Sequence, residues 1–160
     1  MGRPKNEGVL RIQRVGRGRI EGAVGVTTGT TPKLVEGGCH CGAVRYRVTV
    51  RKLEGVRCNC SACSKKGYLH LIVNKEDFEL LRGSEALTTY TFGTHVAKHH
   101  FCSRCGIHSF YRPRSHPDRI DVNIRCLDGL TPSEFRFYDF DGRNWEESVE
   151  ALRKSQLSDD

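Results

Sequence analysis

Seven of the eight cysteines in this 160-residue chain fall into three tight clusters, and that grouping constrains the fold more than any other feature. Cys39 pairs with Cys41, Cys58 is followed by Cys60 and Cys63, and Cys102 pairs with Cys105. Such spacing suits metal ligation. Four thiolates close a tetrahedral zinc site, whereas three leave one position open for water or substrate, so four plus three points to one structural and one working zinc.

Two other uses of cysteine compete with that reading. A disulfide framework fits poorly, because Cys-X-Cys pairs are badly placed to bond to each other and the stretch Met1 to Glu36 lacks the apolar run of a secretory signal. The chain is therefore expected inside the cell, in the cytoplasm or nucleus, where thiols stay reduced and this spacing means metal. The other competitor is a pair of purely structural zincs, with a histidine or Cys126 completing the second site. Cys126 alternates with Ile120, Val122 and Ile124 and reads as a small buried hydrophobe rather than a ligand.

The length suits one domain with a modest core. No stretch approaches the ~20 apolar residues that span a bilayer, and Asn6 stands where a myristoylation signal requires Ser or Thr, so no membrane attachment is expected. The net charge of +7 is uneven: residues 1–36 carry seven Lys or Arg against three Glu. With many glycines and no aromatic residue, 1–33 reads as a flexible basic leader that cannot bury enough apolar surface to order itself. Arg14 to Arg19 could touch nucleic acid or an acidic filament such as a microtubule, although no aromatic is interleaved for base stacking. The domain proper is expected over 34–150, followed by a polar tail at 151–160.

From Leu34 onward the pattern is one of short alternating runs between turn residues, so the fold is read as mainly β. Val44, Tyr46, Val48 and Val50 share one face of a predicted strand. Further strands are predicted at 69–73, 78–81, 87–92, 107–111, 120–126 and around Phe135, Phe137 and Phe140. Asn144 is expected to open a short C-terminal helix with Trp145, Val149 and Leu152 at helical spacing. Within the clusters, Cys39 and Cys41 on an extended segment would point to the same side. Cys102-Ser-Arg-Cys105-Gly106 is a metal knuckle, and Cys58, Cys60 and Cys63 can all face one ion from a single loop.

Four stretches carry a resemblance: residues 37–46 (GGCHCGAVRY), 58–63 (CNCSAC), 88–92 (TTYTF) and 100–106 (HFCSRCG). In this order they resemble the glutathione-dependent formaldehyde-activating enzymes and their relatives, including centromere protein V, whose branch is similar through 89–95 and 109–115. The resemblance implies a tent-like antiparallel β fold. It also implies that Cys39, Cys41, Cys102 and Cys105 share a structural zinc, and that Cys58, Cys60 and Cys63 hold a catalytic zinc, making two Zn2+ per chain. Spacing alone does not choose that pairing.

The activity implied is carbon–sulfur lyase chemistry, making or breaking glutathione adducts such as S-hydroxymethylglutathione, with glutathione or another small thiol as partner. A three-thiolate zinc is soft and suits a fourth sulfur, which agrees with thiol chemistry. His70, His95, His99, His100 and His108 are candidate acid–base groups, none preferred. Arg45, Arg57, Lys65, Lys66 and Arg104 could attract the carboxylates of a tripeptide. The competing classes are a non-enzymatic zinc scaffold that binds chromatin or microtubules, as for centromere protein V, and a labile zinc store.

Overall fold

The structure, a computed structural model, describes residues 31–157. The leader read over 1–33 lies outside the described residues as far as residue 30, and Lys33 already begins the first strand. Ten strands follow in chain order: β1 (Lys33–Gly38), β2 (Arg45–Val50), β3 (Glu54–Cys58), β4 (Leu69–Val73), β5 (Phe78–Arg82), β6 (Leu87–Tyr90), β7 (Lys98–Cys102), β8 (Phe110–Arg112), β9 (Ile120–Asn123) and β10 (Arg136–Phe140). A short helix α1 (Ser61–Lys66) follows β3, and helix α2 (Trp145–Leu157) follows β10. The fold is mainly β with a C-terminal helix, as the alternation predicts.

The strands make two sheets. One has the order β1-β2-β5; the other has seven strands in the order β10-β3-β4-β9-β8-β7-β6. Every pair is antiparallel except β10 with β3, which run parallel. Antiparallel neighbours can be joined by tight turns, whereas a parallel partner must be reached by a crossover. Here all of β4 to β9 lies between β3 and β10, so the final strand returns along the sheet edge in the same sense as β3.

Because side chains alternate along a strand, the large sheet has two distinct faces. Leu71, Val73, Val122, Phe110 and Cys102 point to one face and join Val44, Tyr46, Val48 and Val50 in the core. Tyr46 is central there: its ring lies 5.3 Å from Phe78 and 5.8 Å from Phe110, and its hydroxyl donates to the Cys126 carbonyl. The opposite face carries Val56, His70, Ile72, Asp121, Tyr111 and His99, placed by the pairings Val56 with His70, Ile72 with Asp121 and Asp121 with Tyr111. Helix α2 lies on this second face, with Trp145 and Leu152 turned toward it.

Several sequence expectations shift by a few residues for visible reasons. The stripe at 120–126 is strand only to Asn123, whose side chain accepts from the Arg125 amide and starts a 3-10 turn over Ile124–Cys126. The run at 107–111 becomes strand only at Phe110, because Ile107 is held back by the Cys102 amide. The C-terminal helix opens with a 3-10 turn at Gly142, capped by the Asp141 side chain rather than by Asn144. It runs through Leu157, into the segment read as a polar tail. Phe135 and Phe137 join the core, while Phe140 turns to the other face and meets Trp145 edge-on at 5.4 Å.

Candidate metal centres and an apolar cavity

The first and third cysteine clusters meet. Cys39 directly follows β1 and Cys102 ends β7, next to β6 in the large sheet. The Sγ atoms of Cys39, Cys41, Cys102 and Cys105 all lie within 4.8 Å of one another. Cys41 Sγ stands 3.6 Å from Cys39 Sγ and 3.7 Å from Cys102 Sγ. A zinc–sulfur bond of about 2.3 Å gives a tetrahedral edge of about 3.8 Å, so these separations fit one ion.

Each half of this group is shaped by backbone turns. The 39–44 segment is a turn rather than the extended run expected, because the Gly42 amide bonds to the Cys39 carbonyl and the Val44 amide to Cys39 Sγ. At 102–106 the knuckle is as expected: the Gly106 amide donates to the Cys102 carbonyl at 2.8 Å, and Gly106 has a φ of 74°, a conformation glycine adopts without strain. Cys39 and Cys102 are buried at the edge of the core.

The second cluster assembles locally, on the opposite face of the sheet. Cys58 is the last residue of β3, Cys60 is the N-cap of α1 and Cys63 lies in its first turn. Cys60 Sγ accepts from the Cys63 amide, and Cys58 Sγ from the Cys60 amide, so the backbone of the turn fixes two of the three sulfurs. All three Sγ atoms lie within 4.8 Å of one another, and among the described residues no histidine, carboxylate or Cys126 joins the set. Cys126 is half-buried, 4.0 Å from the His108 carbonyl, with its thiol pushed up to about 11 by burial.

The crowding of the trio has an electrostatic signature that fits a cation. Hydrogen bonds from Cys58 and Cys63 hold the Cys60 thiol far below its ordinary range. The same sharing pushes Cys58 up to about 11 and Cys63 higher still. Three sulfurs this close do not all ionise unless a positive ion sits among them. The soft donor set suits zinc. Gly142 lets the chain close over the trio: a Cβ there would stand 2.5 Å from Cys58 Sγ and 2.9 Å from Cys60 Cβ.

The trio opens onto a cavity of about 180 Å3 between the second face of the sheet, α2 and the 92–97 loop. Its walls are mostly apolar, with Phe92, Phe140 and Trp145 prominent. Arg114 stands at the rim, its guanidinium 4.6 Å over the Trp145 ring and paired with Glu146.

Of the five histidines singled out by sequence, two line this cavity. His70 Nδ1 is 2.8 Å from Asp121 Oδ2, and both residues are buried. His99 is stacked between Phe92 at 5.3 Å and Tyr111 at 4.8 Å, with Lys66 Nζ 3.2 Å from its Nδ1. Burial pushes His99 down to about 4, with the Lys66 charge adding to the effect. The other three lie elsewhere: His100 packs on Phe110 on the core face, His95 bonds to Thr91 in an exposed loop, and His108 packs against Phe101. Of the five basic residues, Lys66 alone reaches the cavity wall, through His99. Arg45 is paired with Glu36 and Asp128 and Arg57 with Asp139, while Lys65 and Arg104 are exposed at the surface.

Sequence reasoning missed Asp121, Tyr111, Trp145 and Gly142 as site residues. Asp121 carried a signal, a lone carboxylate in the apolar alternation of β9, but its partner His70 lies 51 residues away in sequence.

Residues 34–139 match the family model for the glutathione-dependent formaldehyde-activating enzymes. The chain belongs to this family. A Halomonas elongata protein provisionally named a glutathione-dependent formaldehyde-activating enzyme is 38% identical over 81 residues, which cover 45% of this chain and 52% of that protein. The chain thus spans about half the length of the curated relative it matches. A crystal structure of a Rhodobacter sphaeroides protein is 37% identical and superposes with a TM-score of 0.59, covering 64% of this chain and 99% of that one. The family assignment covers both cysteine groups, β2 to β9, all but the first residue of β1 and all but the last residue of β10. Among the described residues no helix is long and apolar enough to cross a membrane.

Proposed function

We propose that this family member is a zinc-dependent carbon–sulfur lyase that makes or breaks glutathione thiol adducts, with S-hydroxymethylglutathione from formaldehyde as the first substrate to test. The observation that carries the reading is a three-cysteine group with no fourth protein ligand among the described residues, set at the wall of an apolar cavity. In this reading Cys39, Cys41, Cys102 and Cys105 hold a structural zinc, Cys58, Cys60 and Cys63 hold a working one, and the catalytic domain occupies 34–150. Its eight free cysteines suit a reducing compartment within the cell.

Zinc bound by the trio would supply a soft Lewis acid that favours a substrate thiol in its thiolate form. The chain's own groups do the rest. Phe92, Phe140 and Trp145 exclude water, which strengthens the electrostatic interactions inside the cavity. Held near the wall, thiol and aldehyde react as though unimolecular. Arg114, already weakly committed to an exposed Glu146, offers a cation at the rim for a carboxylate of the tripeptide.

Native mass spectrometry during a glutathione titration tests the proposal. Two zincs and one glutathione per chain, with the glutathione lost in Cys60→Ser, support it. Two zincs and no adduct at millimolar glutathione refute it.

A further inference from the structure

Two ring nitrogens in the cavity wall have no partner, and they are of opposite character. His70 is 5% exposed and its Nε2 makes no hydrogen bond among the described residues; the same holds for Nε2 of His99, which is 6% exposed. Asp121 has no proton to give as a carboxylate, so His70 donates from Nδ1 and its Nε2 carries a lone pair. Lys66 can only donate, so His99 accepts at Nδ1 and carries its hydrogen on Nε2. Tyr111 stands between the two imidazoles, with ring centroids 6.1 Å from His70 and 4.8 Å from His99. A buried polar atom without a partner costs free energy that folding leaves uncompensated, and a ligand is the ordinary recipient of such a bond.

We propose that His70, oriented by Asp121, is the proton acceptor for a substrate thiol in this cavity, and that His99 donates a hydrogen bond to the aldehyde oxygen. The inference rests on the reading of the cysteine trio as the thiol site. In the forward direction the S–H bond breaks toward His70 Nε2 and sulfur attacks the carbonyl carbon. As the C–S bond forms, the C=O π pair moves onto oxygen beside His99 Nε2–H, and the proton returns from His70 to that oxygen. The product is a hydroxyalkyl thioether, with no electrons gained or lost. The reverse sequence cleaves it.

Asp121, 1% exposed, holds His70 Nδ1 through a 2.8 Å hydrogen bond and so fixes the ring's tautomer and orientation; it acts as a positioning residue. The titratable groups around the His70 ring are Asp121 from β9, Tyr68 just before β4, Tyr111 from β8, the three thiols from β3 and α1, His99 from β7 and Arg114 at the rim. Burial raises the Tyr68 and Tyr111 hydroxyls well above their ordinary range, so neither competes as a base.

The deciding measurement is 15N NMR of the histidine rings in the zinc-loaded full chain, before and after glutathione is added near pH 7. The expected result is an unprotonated His70 Nε2 in the free protein that gains a proton when glutathione binds. An Nε2 that stays unprotonated with glutathione bound, or is protonated before, overturns the proposal. If glutathione does not bind at all, the reading of the trio falls and this inference with it. If His70 takes the proton but no adduct forms with formaldehyde, the choice of aldehyde falls and the proposal stands.

His70→Asn supplies the kinetic arm, since its amide can still donate to Asp121 while the Nε2 acceptor is gone. Turnover should fall about 100-fold or more with the zinc count unchanged. Turnover within about threefold of wild type would count equally against the proposal. Asp121→Asn should lower turnover less than His70→Asn and move the acid limb of its pH profile, with the zinc count unchanged. Should the variants fail to fold, the NMR result on the unaltered chain still decides.

Discussion

Gly142 sits where the chain after β10 passes against Cys58 and Cys60, and any side chain there must displace a sulfur. Gly142→Ala is expected to cost the trio its metal while leaving the four-cysteine group loaded, so the zinc count read by native mass spectrometry drops from two to one. Cys60→Ser should do the same with little loss of thermal stability. Cys105→Ser should instead unfold the domain, since structural zinc sites contribute on the order of 10 kcal/mol of apparent binding energy. At this scale the sequence is legible where spacing is local. The Cys58 to Cys63 loop and the Cys102 knuckle follow from residues a turn apart, and only family resemblance joined Cys39 to Cys102. His70 and Asp121 were not legible as a pair, because their approach depends on β4 and β9 being neighbours.

The strands that could be read from the sequence are those with a clean alternation: β2, with Tyr46, Val48 and Val50 inward and Val44 buried just before it, and β4, whose limits match the prediction. Strands β1, β3 and β7 gave no such signal. β3 contains Gly55 and Arg57, and β7 reads Lys-His-His-Phe-Cys; both are strands because of what they pair with. Helix α2 illustrates how an element serves the site, since its first residue is the only tryptophan of the chain and faces the cavity. Trp145 emission should therefore shift when glutathione is added, and a Cys60→Ser protein should show no shift. Trp145→Ala removes the contacts to Phe140 and Arg114 and should lower unfolding stability by about 2 kcal/mol, measured by urea titration.

For the molecule as a whole, burial of His99 and His108 links stability to pH. Both are pushed down to about 4 in the folded chain, chiefly by burial, against an ordinary value near 6.5. Below about 6.5 the unfolded chain binds protons at these sites that the folded chain refuses, so stability is lost as pH falls from about 6.5 toward 4. Thermal scans with excess zinc should show this decline, and His108→Asn should make it shallower. The two cysteine groups also lie on opposite faces of one sheet, with different demands on the chain. A ribosome delivers the residues in order, and the trio is complete once Cys63 has emerged. Cys41 must wait for Cys102, 61 residues further on. A metal ion arriving early in synthesis meets the open trio before its closed counterpart exists. If both groups take zinc as proposed, the three-cysteine site can load first, because the four-cysteine site must also close a loop of 61 residues between Cys41 and Cys102.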